Sequence, residues 1–259
     1  MAINGEPCLL QRGDVLILIY VNDYAIAAPT QAEIDTTREQ LREACDLKNI
    51  GTIEGYLGFE IVRDRANRKL WLHQRKYVNS ILERFGYENV SPVGTPAPSN
   101  FTQPYPLPDL NATEEVTKLY QQQCGSVNWL AGGSRPDIAF VISKLSEANH
   151  APSKEHIKLI KNLFRYLKGT AGYGILYQGD PRDLLPAYDL LSPGVLNYGL
   201  HAASDAAHAD NASRVSTGGY VVFVGRGPVM WKSKKQPFVA LSTAEAEFIN
   251  LTPTGQALL

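Results

Sequence analysis

Three acids in this chain sit where regular structure could hold them out to a metal ion. Asp23 follows Tyr20-Val21-Asn22, between the apolar runs Val15-Leu16-Ile17-Leu18-Ile19 and Tyr24-Ala25-Ile26-Ala27-Ala28. Two short β-rich runs joined by an Asn-Asp pair predict a hairpin with a tight turn, because Asn and Asp tolerate positive φ. Such a hairpin lifts an acid to its tip and suits a metal ligand. Asp205 ends a predicted strand, and Glu247 lies in the first turns of a predicted helix after a three-stranded meander. An acid on a strand and another on the helix crossing it can converge on one divalent cation, and Mg²⁺ prefers carboxylate oxygens. Hydrolysis of a phosphodiester by two metals takes more, usually about four acids. Asp210 and His208 lie nearby without a compelling geometry. Taken singly, each acid also reads as a surface carboxylate.

Two groups of cations could meet phosphate. Lys154, Lys158, Lys161, Arg165 and Lys168 form a stripe on one face of a predicted helix, and its only nearby acid, Glu155, lies to the side. Along a nucleic-acid backbone each such cation would displace condensed counterions; the alternative is a solvated helix face. Trp231-Lys232-Ser233-Lys234-Lys235 sets an aromatic beside three cations. It suits a nucleic-acid backbone or a charged strand edge that resists pairing.

The elements that must position these residues are legible in the periodicity. A helix is expected over Gln31–Cys45 with Thr30 as N-cap. Strands are expected at Gly55–Val62 and Lys69–Leu72, around a turn at Arg63–Arg68. A helix over Gln74–Phe85 puts Val78, Ile81, Leu82 and Phe85 on one face, and Gly86 ends it. The stretch Pro92–Asn111 holds six prolines and reads as a linker. Three helices follow, from Thr113 to about Ala131, from Ser134-Arg135-Pro136-Asp137 onward, and from Pro152-Ser153 to Leu167. The last carries Ile157, Ile160, Leu163, Phe164 and Leu167 on its apolar face. Strands are then expected at Leu200–Ala206, Ser216–Val224 and Val229–Ser233, with a turn at Gly225-Arg226-Gly227. A final helix begins at Ser242, with Ser242 or Thr243 as cap.

The chain's 259 residues, with 25 Lys and Arg against 26 Asp and Glu, allow a sizeable core and argue against a uniformly basic nucleic-acid binder. Cys8, Cys45 and Cys124 are far apart, without metal-ligand spacing, and read as reduced thiols. No run is long enough for a membrane span and no signal-peptide pattern opens the chain, so the expectation is an intracellular protein, cytoplasmic or nuclear.

Several strings, in order, resemble the C-terminal part of a Pol polyprotein from copia-type LTR retrotransposons. They are Tyr20-Val21-Asn22-Asp23, Tyr56-Leu57-Gly58-Phe59-Glu60-Ile61, Gln74-Arg75-Lys76-Tyr77, Ser134-Arg135-Pro136-Asp137-Ile138-Ala139-Phe140, Arg165-Tyr166-Leu167-Lys168-Gly169-Thr170, Ser216-Thr217-Gly218-Gly219-Tyr220, and Trp231-Lys232-Ser233-Lys234-Lys235-Gln236-Pro237 running into Ala240-Leu241-Ser242-Thr243-Ala244-Glu245-Ala246-Glu247. The resemblance implies an α+β chain in three loosely coupled segments. Residues 1–93 would be the end of a reverse transcriptase palm with a thumb-like portion. Residues 94–198 would be a Pro-rich linker and helical connection. Residues 199–259 would begin an RNase H-like mixed sheet with its helix.

The same resemblance makes Asp23 a polymerase metal ligand, and Asp205 and Glu247 the first two RNase H ligands, with Mg²⁺ or Mn²⁺ as cofactor. Glu247 is chosen over Glu245 because it precedes an aromatic, Phe248. The implied partners are an RNA–DNA hybrid or duplex nucleic acid and the Pol segments outside this chain. The departures are as informative. Asn22 stands where the family's hairpin carries a second acid, His208 where it usually has Trp, and the family's remaining catalytic acids fall outside these residues. The hairpin is expected to lack the strands it would pair with, and the last sheet to expose an edge and one face. The expectation is therefore a catalytically incomplete retroelement segment. The alternatives are a residual hybrid-cleaving ribonuclease that uses Asp205, Glu247 and Asp210, and a non-catalytic nucleic-acid-binding or interaction protein.

Overall fold

The computed structural model describes residues 2–3, 6–99, 101, 107–179, 200–210, 214–224 and 226–258. Pro104 and Pro106 of the expected linker, residues 180–198 of the expected connection, Gly199 at the head of the last segment and Gly225 of the expected last turn lie outside these. The chain forms two units, Met1–Glu54 and Gly55–Leu259. It is a mixed α and β protein with small antiparallel sheets.

In the first unit β1 (Ala2–Ile3), β2 (Glu6–Arg12), β3 (Val15–Tyr20) and β4 (Asp23–Ala27) form one antiparallel meander. The expected hairpin is present but turns one residue early. Tyr20 pairs with Asp23, so Val21 and Asn22 make the loop. The positive φ falls on Val21, at 53°, an unusual conformation for a β-branched residue. A two-residue loop between twisted strands demands it. The expectation of a hairpin without neighbours is corrected. Leu9 to Arg12 of β2 pair with Leu18 to Val15 of β3, because Gly13, at φ 59°, lets the chain reverse tightly. Helix α1 (Gln31–Ala44) starts at Thr30 with a capping box: Glu33 N–H donates to Thr30 Oγ1 at 3.3 Å, and Thr30 N–H to Glu33 Oε2 at 3.0 Å. Arg12 on β2 donates to Gln40 Oε1 on α1 at 2.8 Å.

The second unit opens with β5 (Gly55–Tyr56), β6 (Phe59–Asp64) and β7 (Lys69–His73). The single strand expected at Gly55–Val62 is instead a hairpin. Leu57 and Gly58 take φ of 51° and 83°, a pair of left-handed residues that reverses the chain at once. Helices α2 (Arg75–Arg84), α3 (Glu114–Gly133), α4 (Ala139–Ser146, entered through a 3-10 turn at Pro136–Ile138) and α5 (Lys154–Gly169) build the core. Ser153 caps α5, and Ile160, Leu163, Phe164 and Leu167 are fully buried on its apolar face. Burial of each contributes about 2 kcal/mol. Phe164 stacks on Tyr87 (ring centroids 4.6 Å apart) and meets Phe85 edge-on. Straight after α5 comes β8 (Gly174–Gln178), which pairs with β7 along its whole length. No sequence signal marks this strand.

Arg135 is a fully buried cation, 1% exposed. Its Nε and Nη2 grip both oxygens of Asp137 (2.9 and 2.7 Å), while Nη1 and Nη2 donate to Thr170 O and Oγ1 (3.0 and 2.8 Å). Tyr166 Oη donates to Asp137 at 2.9 Å, and the guanidinium faces the rings of Tyr166 and Tyr173. The Ser-Arg-Pro-Asp and Arg-Tyr-Leu-Lys-Gly-Thr strings are thus held to each other.

The last sheet is β9 (Leu200–Ala207), β10 (Thr217–Val224) and β11 (Gly227–Lys235), in the order β11-β10-β9, with α6 (Thr243–Gln256) against it. It is not loosely coupled to the helices. Lys144 on α4, 2% exposed, pairs with Asp210 at 2.8 Å. Trp231 Nε1 donates to Ala131 O on α3, and Tyr177 Oη on β8 donates to Pro228 O at 2.9 Å. A buried ion pair and two half-buried donors fix the contact where an apolar reading of the segments foresees none.

Arg135→Met should cost about 3 kcal/mol in urea unfolding of the full chain, because it strands Asp137 and Thr170. Arg135→Lys should recover only part, since a point charge cannot reproduce the forked contact. Burial holds His156 below its ordinary value of 6.5, opposed by the charge of Glu155. The folded state then binds fewer protons than the unfolded one, so this stability is present above pH 6.5 and lost as the pH falls below it. His156→Gln should reduce the difference in urea midpoint between about pH 7.5 and about pH 5.5.

Candidate metal and nucleic-acid site

The two acids of the last segment arrive at the same strand. Ser242 caps α6 by accepting from Glu245 N–H at 3.1 Å, and Glu245 Oε2 accepts from Leu241 N–H at 2.6 Å, which closes the entry to the helix. One turn onward, Glu247 Oε1 accepts from Ala206 N–H at 3.1 Å, directly beside Asp205 on β9. Glu247 reaches β9, then, and Glu245 does not. Asp205 is exposed, while Glu247 is half-buried.

The register that makes this meeting possible is set by Asn250. Its Nδ2 donates to Asp205 O and Gly219 O, both at 2.8 Å, so one amide bridges β9 and β10 at the level of the acid. Gly218 supplies the room, since a Cβ there would overlap Asn250 Oδ1. Sequence reasoning gave Asn250 and Gly218 no role. The signal was present in the Gly218-Gly219 pair, because glycine inside a strand often marks a close approach.

Asp210 is otherwise engaged. Besides Lys144, it accepts from Thr217 Oγ1 at 2.9 and 2.8 Å through its two oxygens. A metal role for Asp210 would require breaking a buried ion pair, which corrects its inclusion with Asp205 and Glu247. Asp23 begins β4 in the first unit, exposed at the hairpin. Among the described residues no group of three or more His, Cys, Asp or Glu gathers as a metal site. Mg²⁺ prefers carboxylate oxygens, but by register Asp205 shares the face of Gly219 and Ser233, whereas Glu247 reaches β9 from α6, which lies over the Gly218 face. Two carboxylates fall short of what two metals require.

The helical stripe divides. Lys154, Lys158 and Lys161 are exposed. Arg165 Nε donates to Ser91 O at 2.8 Å and Lys168 Nζ to Glu88 O, so these two tie α5 to the chain leaving α2. On β11, Lys232 and Lys234 are exposed, while Lys235 faces Glu147 at 3.9 Å.

Residues 5–99 match the family described as reverse transcriptase (RNA-dependent DNA polymerase). The retrovirus-related Pol polyprotein from transposon TNT 1-94 of Nicotiana tabacum is 33% identical over 98% of the chain and 19% of its own length. Those from transposons RE1 and RE2 of Arabidopsis thaliana are 34% and 33% identical over 96% of the chain. The chain belongs to the copia-type retrotransposon Pol family. It spans less than a fifth of the length of these relatives. No solved structure matches it. Within this Pol chain the reverse transcriptase match covers the first unit and runs through α2 of the second. No helix among the described residues is long and apolar enough to cross a membrane.

A double-mutant cycle tests the Asn250 bridge. Gly218→Ala and Asn250→Ala should each destabilise the full chain by about 1–2 kcal/mol in urea. Together they should cost at least about 0.5 kcal/mol less than the sum, because the added methyl then occupies vacated space.

Proposed function

We propose that the chain is a Pol segment that engages RNA–DNA hybrid or duplex nucleic acid and does not by itself complete either active site. In this reading residues 1–93 derive from the end of the reverse transcriptase palm with its thumb-like portion. Residues 94–198 are the linker and connection, and residues 199–259 the first part of an RNase H-like domain. The observation that carries the reading is the meeting of Glu247 with β9 beside Asp205, in a chain similar to Pol polyproteins over almost its whole length. A Mg²⁺ or Mn²⁺ ion would polarise a phosphodiester. At the hairpin, Asn22 offers an amide oxygen without charge, a poorer ligand for a hard cation than the acid it replaces. Turnover depends on charge placed around the reacting phosphate, and two acids supply too little of it. Pol segments outside these residues are the other partner class, and a cell interior is the setting.

The full chain should not cleave a labelled RNA–DNA hybrid in Mg²⁺ or Mn²⁺ above the level of Asp205→Asn. Cleavage that Asp205→Asn abolishes would replace this reading with the residual ribonuclease. Binding should weaken with salt, and joint replacement of Lys154, Lys158 and Lys161 by Gln should lower the slope of log K against log salt by about 2–3. An unchanged slope would remove α5 from the interface.

A further inference from the structure

Between α6 and the sheet lies a cavity of about 670 Å³, within the size range of small-ligand sites. Glu247 turns toward β9, whereas Phe248, Ile249 and Pro253, with Asn250, line the cavity over β10 and β11. Its sheet side carries Tyr220 and Lys232, which are cross-strand partners, and Lys234, which pairs with Gly218. Pro237 and Phe238 also line it. Two features are out of the ordinary for a surface that serves no ligand. Phe248 is 76% exposed and Phe238 54%, so two aromatic rings stand in solvent at one opening. Lys232 and Lys234 occupy one face of β11, and both are exposed there. The remaining charges at the site are accounted for: Lys235 faces Glu147, and Glu245 accepts from Leu241 N–H.

We propose that this cavity binds a nucleotide unit of single-stranded nucleic acid, with a base against Phe238 and Phe248 and flanking phosphates on Lys232 and Lys234. The chemistry selects this occupant. Flat apolar walls accept the face of any base, and stacking on an aromatic side chain needs no particular sequence. Two cations beside the rings complement the phosphate that accompanies each base. A purely apolar occupant would leave both lysines unused, and a free phosphate would leave both rings unused. The proposal rests on the nucleic-acid reading of the chain and narrows it to a strand with unpaired bases at this site.

The test is fluorescence anisotropy of the full chain with labelled single-stranded dT8, an abasic oligomer of the same length, and an RNA–DNA hybrid. Both phenylalanines are exposed, so Phe238→Ala and Phe248→Ala should leave circular dichroism and urea midpoint unchanged. Each should weaken dT8 binding about tenfold. The abasic oligomer should bind the unaltered chain no better than dT8 binds the Phe248→Ala variant. Lys232→Gln with Lys234→Gln should lower the dT8 salt slope by about 1.4. Equal affinity for dT8 and the abasic oligomer, unmoved by either Phe variant, would overturn the proposal. Hybrid binding without dT8 binding would overturn it while leaving the proposed function intact. Loss of both in the unaltered chain would overturn both.

Discussion

The second unit depends on one buried cation. Arg135 sits where α3 hands over to α4, and its guanidinium spends its donors on Asp137 and on Thr170, the residue that ends α5. A guanidinium out of water is costly unless its donors are met and a counter-charge is near. Both conditions hold only if the start of the 3-10 turn and the end of α5 occupy one relative position. The carbonyl of Thr170 lies at the negative end of the α5 dipole, which adds to the attraction. Tyr166 closes the arrangement, and burial together with the Asp137 charge raises its hydroxyl above the ordinary tyrosine value. One residue type therefore fixes the crossing of two helices that apolar packing alone would leave free to slide.

From that junction the two sheets of this unit follow. The chain leaves α5 at Thr170 and within a few residues is β8, paired to β7. The end of α5 thus decides where the fourth strand lands. On the other side, α4 carries Lys144 into its pair with Asp210, just beyond β9, and α3 offers Ala131 O to Trp231 on β11. Trp231 and Lys235 turn one way from β11, toward the helices, and Lys232 and Lys234 turn the other way, toward the cavity. Period-two alternation lets one strand anchor the sheet with one face and present chemistry with the other.

What was legible in the sequence is local. Thr30, Thr113, Ser153 and Ser242 each cap the helix they announce, because a cap is decided within four residues. The three strands of the last sheet were legible from alternation, and the helix that follows them from its Ser242 cap. The misses are all non-local or conformationally unusual. β2 and β8 form because a partner strand is offered from elsewhere in the chain. The turns at Val21 and Leu57 put left-handed φ on side chains that disfavour it, so their exact placement is not flagged by those residues, although Asn22 and Gly58 lie beside them. Asp210 looked like a spare acid beside Asp205 because Lys144, far away in sequence, is what claims it.

Glu247 also changes what an acid in this fold can be taken to mean. β9 is an edge of its sheet among the described residues, and the carboxylate satisfies a backbone N–H that the sheet does not. The same bond brings the carboxylate beside Asp205. Glu247 therefore caps a strand edge, and losing it would free that N–H. Asp205 is different: its side chain is exposed, and its main-chain oxygen is held by Asn250 whatever the side chain does. Replacing Asp205 with Asn therefore removes charge while keeping the strand in register. Asp205 is thus a position where charge can be changed without disturbing the fold, because Asn250 holds its main chain in place.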